Sequence, residues 1–152
     1  MRRRDERGQA TLMIVGFAFV LAMAVALVVD VSAAYLQRQG LDTVADGAAL
    51  AGADAGSNNA DTLYGSGVGS RERLDQAEAL ARAAVADYLN RTAARSDYPG
   101  LRYDVGFDPT DNSVIVRVQA PLDLPLTIPG SPERPVVGTV GSAVVQIEGP
   151  DG

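Results

Sequence analysis

The feature that most constrains this chain is Ala10 to Val29 (ATLMIVGFAFVLAMAVALVV), 20 consecutive residues without a charge. As a helix they span about 30 Å, the thickness of a bilayer's hydrocarbon core. That length predicts one full membrane crossing. Arg2, Arg3, Arg4 and Arg7 precede it and Asp30 follows it. Positive charge is retained in the cytoplasm, which places the N-terminus inside and nearly everything after the run outside. A cleaved secretory signal is the competing reading, with Ser32-Ala33-Ala34 as its cleavage site. The run exceeds the usual apolar core of about 7–15 residues, and helix-compatible sequence continues through the supposed site. A twin-arginine signal fits worse, because Asp5 and Glu6 follow the arginines where an apolar continuation is needed. Ala18, Ala22 and Ala26 recur every fourth position and form a ridge on which another membrane helix can pack closely.

What remains of the 152 residues suffices for one modest domain. There is no Cys, His, Trp or Lys, and all 13 basic residues are Arg. Disulfides, thiolate metal sites and thiol nucleophiles are excluded, and a Ser or Thr nucleophile lacks the His or Lys base it would need. Met1 to Gln9 carry four Arg against Asp5 and Glu6, or +2, leaving nine Arg against seventeen acids, or −8, for the rest. This acidic exported part repels nucleic acid and anionic lipid headgroups, so neither is an expected partner.

Val31 to Ala53 lacks Pro and sets Tyr35, Leu41, Val44, Ala45, Ala48 and Gly52 toward one helical face, so one long helix is expected to leave the membrane. Arg38 and Asp42, four apart, are placed to pair weakly on its solvated side. Residues 55–70 concentrate Gly, Ser, Asn and Asp, which predicts a helix stop near Gly56 and a flexible linker. Ser70 then fits an N-cap, and Leu74, Ala77, Ala81, Ala84, Val85 and Tyr88 follow helical spacing to about Ala94. From Leu101 the period is two: Leu101, Tyr103, Val105 and Phe107, then Val114, Val116 and Val118, with turn chemistry at 108–112 between them. Leu122, Leu124, Leu126 and Ile128 predict a third strand, confined to an edge by Pro121 and Pro125. Val136 to Glu148 predicts a fourth, with Gly138 and Gly141 allowing a bend. The expected fold is α+β: a long N-terminal helix, a second helix and an antiparallel sheet of about four strands. Its expected divisions are a basic segment (1–9), a membrane helix (10–29), its continuation (30–54), a linker (55–70) and an exported domain (71–152).

Arg7-Gly8 before the apolar run, Val29-Asp30 closing it, Tyr35, and the segment Leu41-Asp42-Thr43-Val44-Ala45-Asp46-Gly47-Ala48-Ala49-Leu50-Ala51 together resemble the TadE/TadG-like family of Flp (tight adherence) pilus-assembly proteins. The resemblance covers about the first 53 residues; beyond them only the general architecture is similar. It implies a bacterial cytoplasmic-membrane protein with a pilin-like, lollipop-shaped fold. The implied partners are other pilus-assembly membrane proteins or pilin subunits, with no cofactor, small-molecule substrate or nucleic acid. The motif residues it assigns are Gly8, Asp30, Tyr35, Leu41, Ala45, Asp46, Ala48, Ala49 and Leu50. Cleaved subunits of this system carry Glu at the fifth position after the cut Gly, where this chain has Met13. The resemblance therefore leans toward the uncleaved TadG-like members.

Other carboxylates have plainer readings. Asp30 ends the span in the interface, where a charge costs little. Asp42, Asp46 and Asp54 read as an acidic helix face rather than a cation site. Asp108, Asp111 and Asn112 lack the Gly and distal Glu of a calcium loop and read as a turn. No catalytic or metal site is expected, and a structural or assembly role is. The alternative is a membrane-tethered extracellular binding module unrelated to pili.

Overall fold

The structure, a computed structural model, describes residues 6–65, 70–108, 110–122, 125 and 135–145. It comprises α1 (Glu6–Gly65), α2 (Ser70–Arg91), the single-turn α3 (Ala94–Asp97), β1 (Arg102–Asp108), β2 (Ser113–Pro121) and β3 (Val136–Val144). The strands form one antiparallel sheet in the order β1-β2-β3.

α1 is a single 60-residue helix whose surroundings change along its length. From Leu12 to Val29 its large apolar side chains are all exposed, and it holds the one described helix apolar and long enough to cross a membrane. From Leu41 onward it becomes the centre of a folded domain. Leu41, Ala45, Ala48, Ala49 and Ala53 are buried, with Val44 half-buried beside them. Side chains this small let neighbours come close to the helix axis. The closest backbone approach among the described glycines is at β3, where a Cβ on Gly141 would overlap the carbonyl of Ala45. Gly141 thus permits backbone-to-backbone packing, and its value lies there rather than in the bend its sequence suggests.

α2 runs antiparallel to α1 and packs chiefly along it. Ala81, Val85 and Leu89, spaced for one helical face, are fully buried. The Tyr88 and Tyr98 hydroxyls press onto Gly47 and Gly40, where a Cβ would displace them. α2 stops at Arg91. Ala93 takes a left-handed conformation (φ 55°), and the Tyr88 carbonyl accepts from both the N–H of Thr92 (3.0 Å) and its hydroxyl (2.8 Å).

The β1–β2 hairpin has the expected faces. Val105 pairs with Val116 and Phe107 with Val114, and Val114, Val116 and Val118 are all buried against α1. Its turn is tied by side chains: Asp108 Oδ1 accepts from the Thr110 N–H (2.8 Å) and Asp111 Oδ1 from the Ser113 N–H (3.1 Å).

Three expectations change. The described sheet has three strands, not four. The strand expected through Leu122, Leu124, Leu126 and Ile128 falls mainly outside the described residues, although Leu122 is buried and its N–H donates to the Pro135 carbonyl (2.7 Å). α1 does not stop near Gly56 but continues to Gly65, because Gly56 is buried and seats Val145 against the helix. Tertiary packing here outweighs the low helix propensity of glycine, about 1 kcal/mol. Tyr35 does not join the core face and is 67% exposed. At about 100° per residue it lies about 120° around the helix from Leu41.

Candidate functional site

The structure separates the motif residues of α1 into two sets. Leu41, Ala45, Ala48 and Ala49 point into the core, where they hold the sheet and α2. Tyr35, Asp46 and Leu50 point away from it and are exposed. The same short segment therefore builds the domain with one side and presents a surface with the other. Gly8 stands in open space near the start of α1; Ala18 and Ala22 are exposed and Ala26 is half-buried.

Asp30 is only 7% exposed, while the flanking Val29 and Val31 are 42% and 60% exposed. Asp30 is thus packed against protein. Asp42 does not pair with Arg38. It turns toward the sheet and accepts a hydrogen bond from the Thr139 hydroxyl, tying α1 to β3. A second tie lies one to two turns nearer the apolar segment, where Gln37 Nε2 donates to the Pro121 carbonyl (2.7 Å).

These ties fix which end of the domain is nearer the apolar segment. Pro121 lies level with Gln37, Thr139 with Asp42, Gly141 with Ala45, Val114 with Gly52 and Val145 with Gly56. The strand ends near Pro121 and Val136, together with α3, are thus proximal, and the hairpin turn at 110–112 is distal.

Among the described residues no group of three or more carboxylates converges as a metal site. Asp46 and Asp54 are exposed and separate from the half-buried Asp42. Asp108 is held below the usual carboxylate range by the Thr110 N–H and then by its hydroxyl, the signature of a turn-forming group. A shallow depression on the outer sheet face is lined by Asp104, Arg117, Gln119, Gly138 and Val140, with Arg117 and Asp104 3.6 Å apart across it. It has no nucleophile–base pair. Sequence reasoning missed the roles of Gly40, Gly47 and Gly141, since a glycine that receives a distant side chain or strand has no local signature.

No curated protein and no solved structure matches the chain. Residues 8–55 match the family described as putative Flp pilus-assembly TadE/G-like, about a third of the sequence. That interval begins at Gly8, contains Asp30 and Tyr35, and ends where α1 leaves the core beside Gly56. Residues 8–55 are thus similar to the TadE/G-like segment described for putative Flp pilus-assembly proteins, the same family that the sequence resembles.

Proposed function

We propose that this protein is a non-enzymatic structural or assembly component of a Flp/Tad-type pilus, held in the cytoplasmic membrane by residues 10–29 with its C-terminal domain outside. The observation that carries the reading is the coincidence of two intervals. The pilus-assembly match at 8–55 covers both the apolar half of α1 and the part around which the domain is built. One helix thereby serves as anchor and as core. The arginines before the span and Asp30 after it support an N-terminus inside. Met13, at the fifth position after Gly8, supports a chain that keeps its basic end and stays in the membrane, with Ala18, Ala22 and Ala26 as a packing ridge for other membrane helices of the machine.

The test is the N-terminal sequence and mass of the mature protein from piliated cells, together with piliation after deletion of the gene. An intact N-terminus and lost or altered piliation are expected. A cut after Gly8 would overturn the retained form, a cut near Ala34 would remove the anchor, and unchanged piliation would defeat the assembly role. A second reading, a membrane-tethered binding module unconnected with pili, is favoured by the outer face of β3. There Val136, Val140 and Val144 are 61%, 57% and 57% exposed. Unchanged piliation would leave this reading standing.

A further inference from the structure

Beyond Gln9 the chain has a net charge of −8, which on average opposes an anionic surface. The fold does not distribute that charge evenly. Arg38, Arg95 and Arg102 are all exposed and lie toward the proximal end of the domain. Arg38 is one residue beyond Gln37, which bonds to Pro121. Arg102 pairs with Gln119, two residues from Pro121 along β2. Arg95 stands over the Tyr103 ring, 5.5 Å from its centre, one register position higher. The described ion pairs are Arg82–Glu78, Arg91–Asp87 and Arg117–Asp104, so no described carboxylate pairs with these three. The nearby acids are Asp30, buried where α1 leaves the apolar segment, Asp97, exposed on α3, and Asp42, engaged by Thr139. Asp54, Asp108 and Asp111 lie toward the distal end. Among the described residues the exposed charges are therefore polarised: toward the apolar segment three exposed arginines face one exposed carboxylate, Asp97, with Asp30 buried and Asp42 half-buried.

The helix rise turns this polarity into a distance. Arg38 is nine residues beyond Val29, about 14 Å along α1, and the headgroup layer takes up roughly 5–8 Å of that. The guanidinium then lies within one Debye length, about 10 Å at 0.1 M salt, of the lipid phosphates. Tyr35, six residues beyond Val29 and about 9 Å along the helix, is an exposed aromatic with its Cα just outside the headgroup layer, and because helical side chains lean back toward the N-terminus its ring reaches into that layer.

We infer that the proximal end of the domain, through Arg38, Arg95 and Arg102, docks on anionic phospholipid headgroups of the membrane that α1 crosses, with Tyr35 seated in the headgroup layer beneath. This rests on the anchored reading above. An arginine that reaches an anionic surface changes the docked-to-undocked ratio by roughly fivefold, so three together set it by about a hundredfold.

The test uses the full chain in vesicles. It contains no cysteine, so Ser96→Cys on α3 accepts a single donor fluorophore, with an acceptor on a headgroup-labelled lipid. Energy transfer is expected to be higher with about 30 mol% phosphatidylglycerol than with phosphatidylcholine alone, and to fall to the neutral-vesicle level in about 0.5 M NaCl. The triple variant Arg38→Gln, Arg95→Gln, Arg102→Gln is expected to abolish the difference. Arg38→Gln alone, which removes no described contact, should reduce it with unchanged thermal melting. A donor at Thr110→Cys on the distal turn should show no lipid dependence. Equal transfer in both vesicle types, or a lipid effect that survives the triple variant, overturns the proposal while leaving the anchor intact. Failure to float with either vesicle type overturns the anchor, and the docking with it.

Discussion

The two halves of α1 are built from much the same residues, Ala, Val, Leu and Gly, yet they are arranged by different solvents. Between Leu12 and Val29 every large apolar side chain is exposed, on all sides of the helix. Between Leu41 and Gly56 the small residues are gathered on the side that meets the sheet and α2, and Asp46, Leu50 and Asp54 lie opposite. An apolar helix in hydrocarbon has no burial gradient to satisfy, because lipid is as apolar as a neighbouring leucine. Outside the membrane the sheet must be covered, and sidedness becomes obligatory. Uniform apolarity thus marks a helix that lipid covers, and sorted small residues mark one that protein covers.

Paired substitutions sharpen that contrast. The largest difference is expected between Leu41→Ala and Leu21→Ala. Leu41 is fully buried, and its truncation should lower the stability of the domain by about 2–5 kcal/mol. Leu21 is 56% exposed, and its truncation should leave domain melting unchanged. Thermal unfolding of both variants in detergent would read this, and equal losses would break the distinction between the halves.

Next comes Gly141→Ala, which forces a methyl group into the backbone of α1 at Ala45. Overpacking of this kind costs about 1–3 kcal/mol, and the upper end is expected because two backbones must part. Denaturant titration should show a lowered midpoint with a preserved slope.

The smallest effects are expected from Gly40→Ala and Gly16→Ala. At Gly40 the methyl meets the hydroxyl end of Tyr98, which can swing aside, so a loss of about 1 kcal/mol is expected. At Gly16 nothing lies within 4 Å. Helix propensity alone acts there, and domain melting should not change. Hydrogen exchange of the α1 amides would distinguish the two, with faster exchange near residue 40 only in the first variant.

The parts of this architecture that could be read from sequence were those in which one physical cause acts locally. Alternation in Tyr103-Val105-Phe107 and Val114-Val116-Val118 follows from a sheet with one wet face, and the hairpin and its tied turn followed directly. The apolar run needed only its length. What escaped reading depends on contacts far away in sequence. Gly56 looked like a helix stop until Val145 covered it, and Gly141 looked like a bend until Ala45 occupied the space beside it. Asp42 looked available to Arg38 until Thr139 engaged it. Tyr35 lies about 120° around the helix from Leu41, which turns it away from the core face that its spacing suggests. Of the motif residues, the alternation of inward Ala45, Ala48 and Ala49 with outward Asp46 and Leu50 was implicit in the helical period. The gathering of Arg38 with Arg95 and Arg102 was not, since nothing in a charge count reveals which distant arginines a fold will bring to one end.

The unbroken path of α1 from the apolar segment into the core makes the protein a lever. No described break in the helix separates span from domain. A tilt of the span by about 20°, ordinary for a membrane helix, would swing the level of Gly56, about 40 Å along the axis from Val29, sideways by roughly 14 Å. Rotation of the span about its axis would likewise turn the whole sheet with it. A neighbour that grips the helix within the bilayer can thereby aim the surface displayed above it.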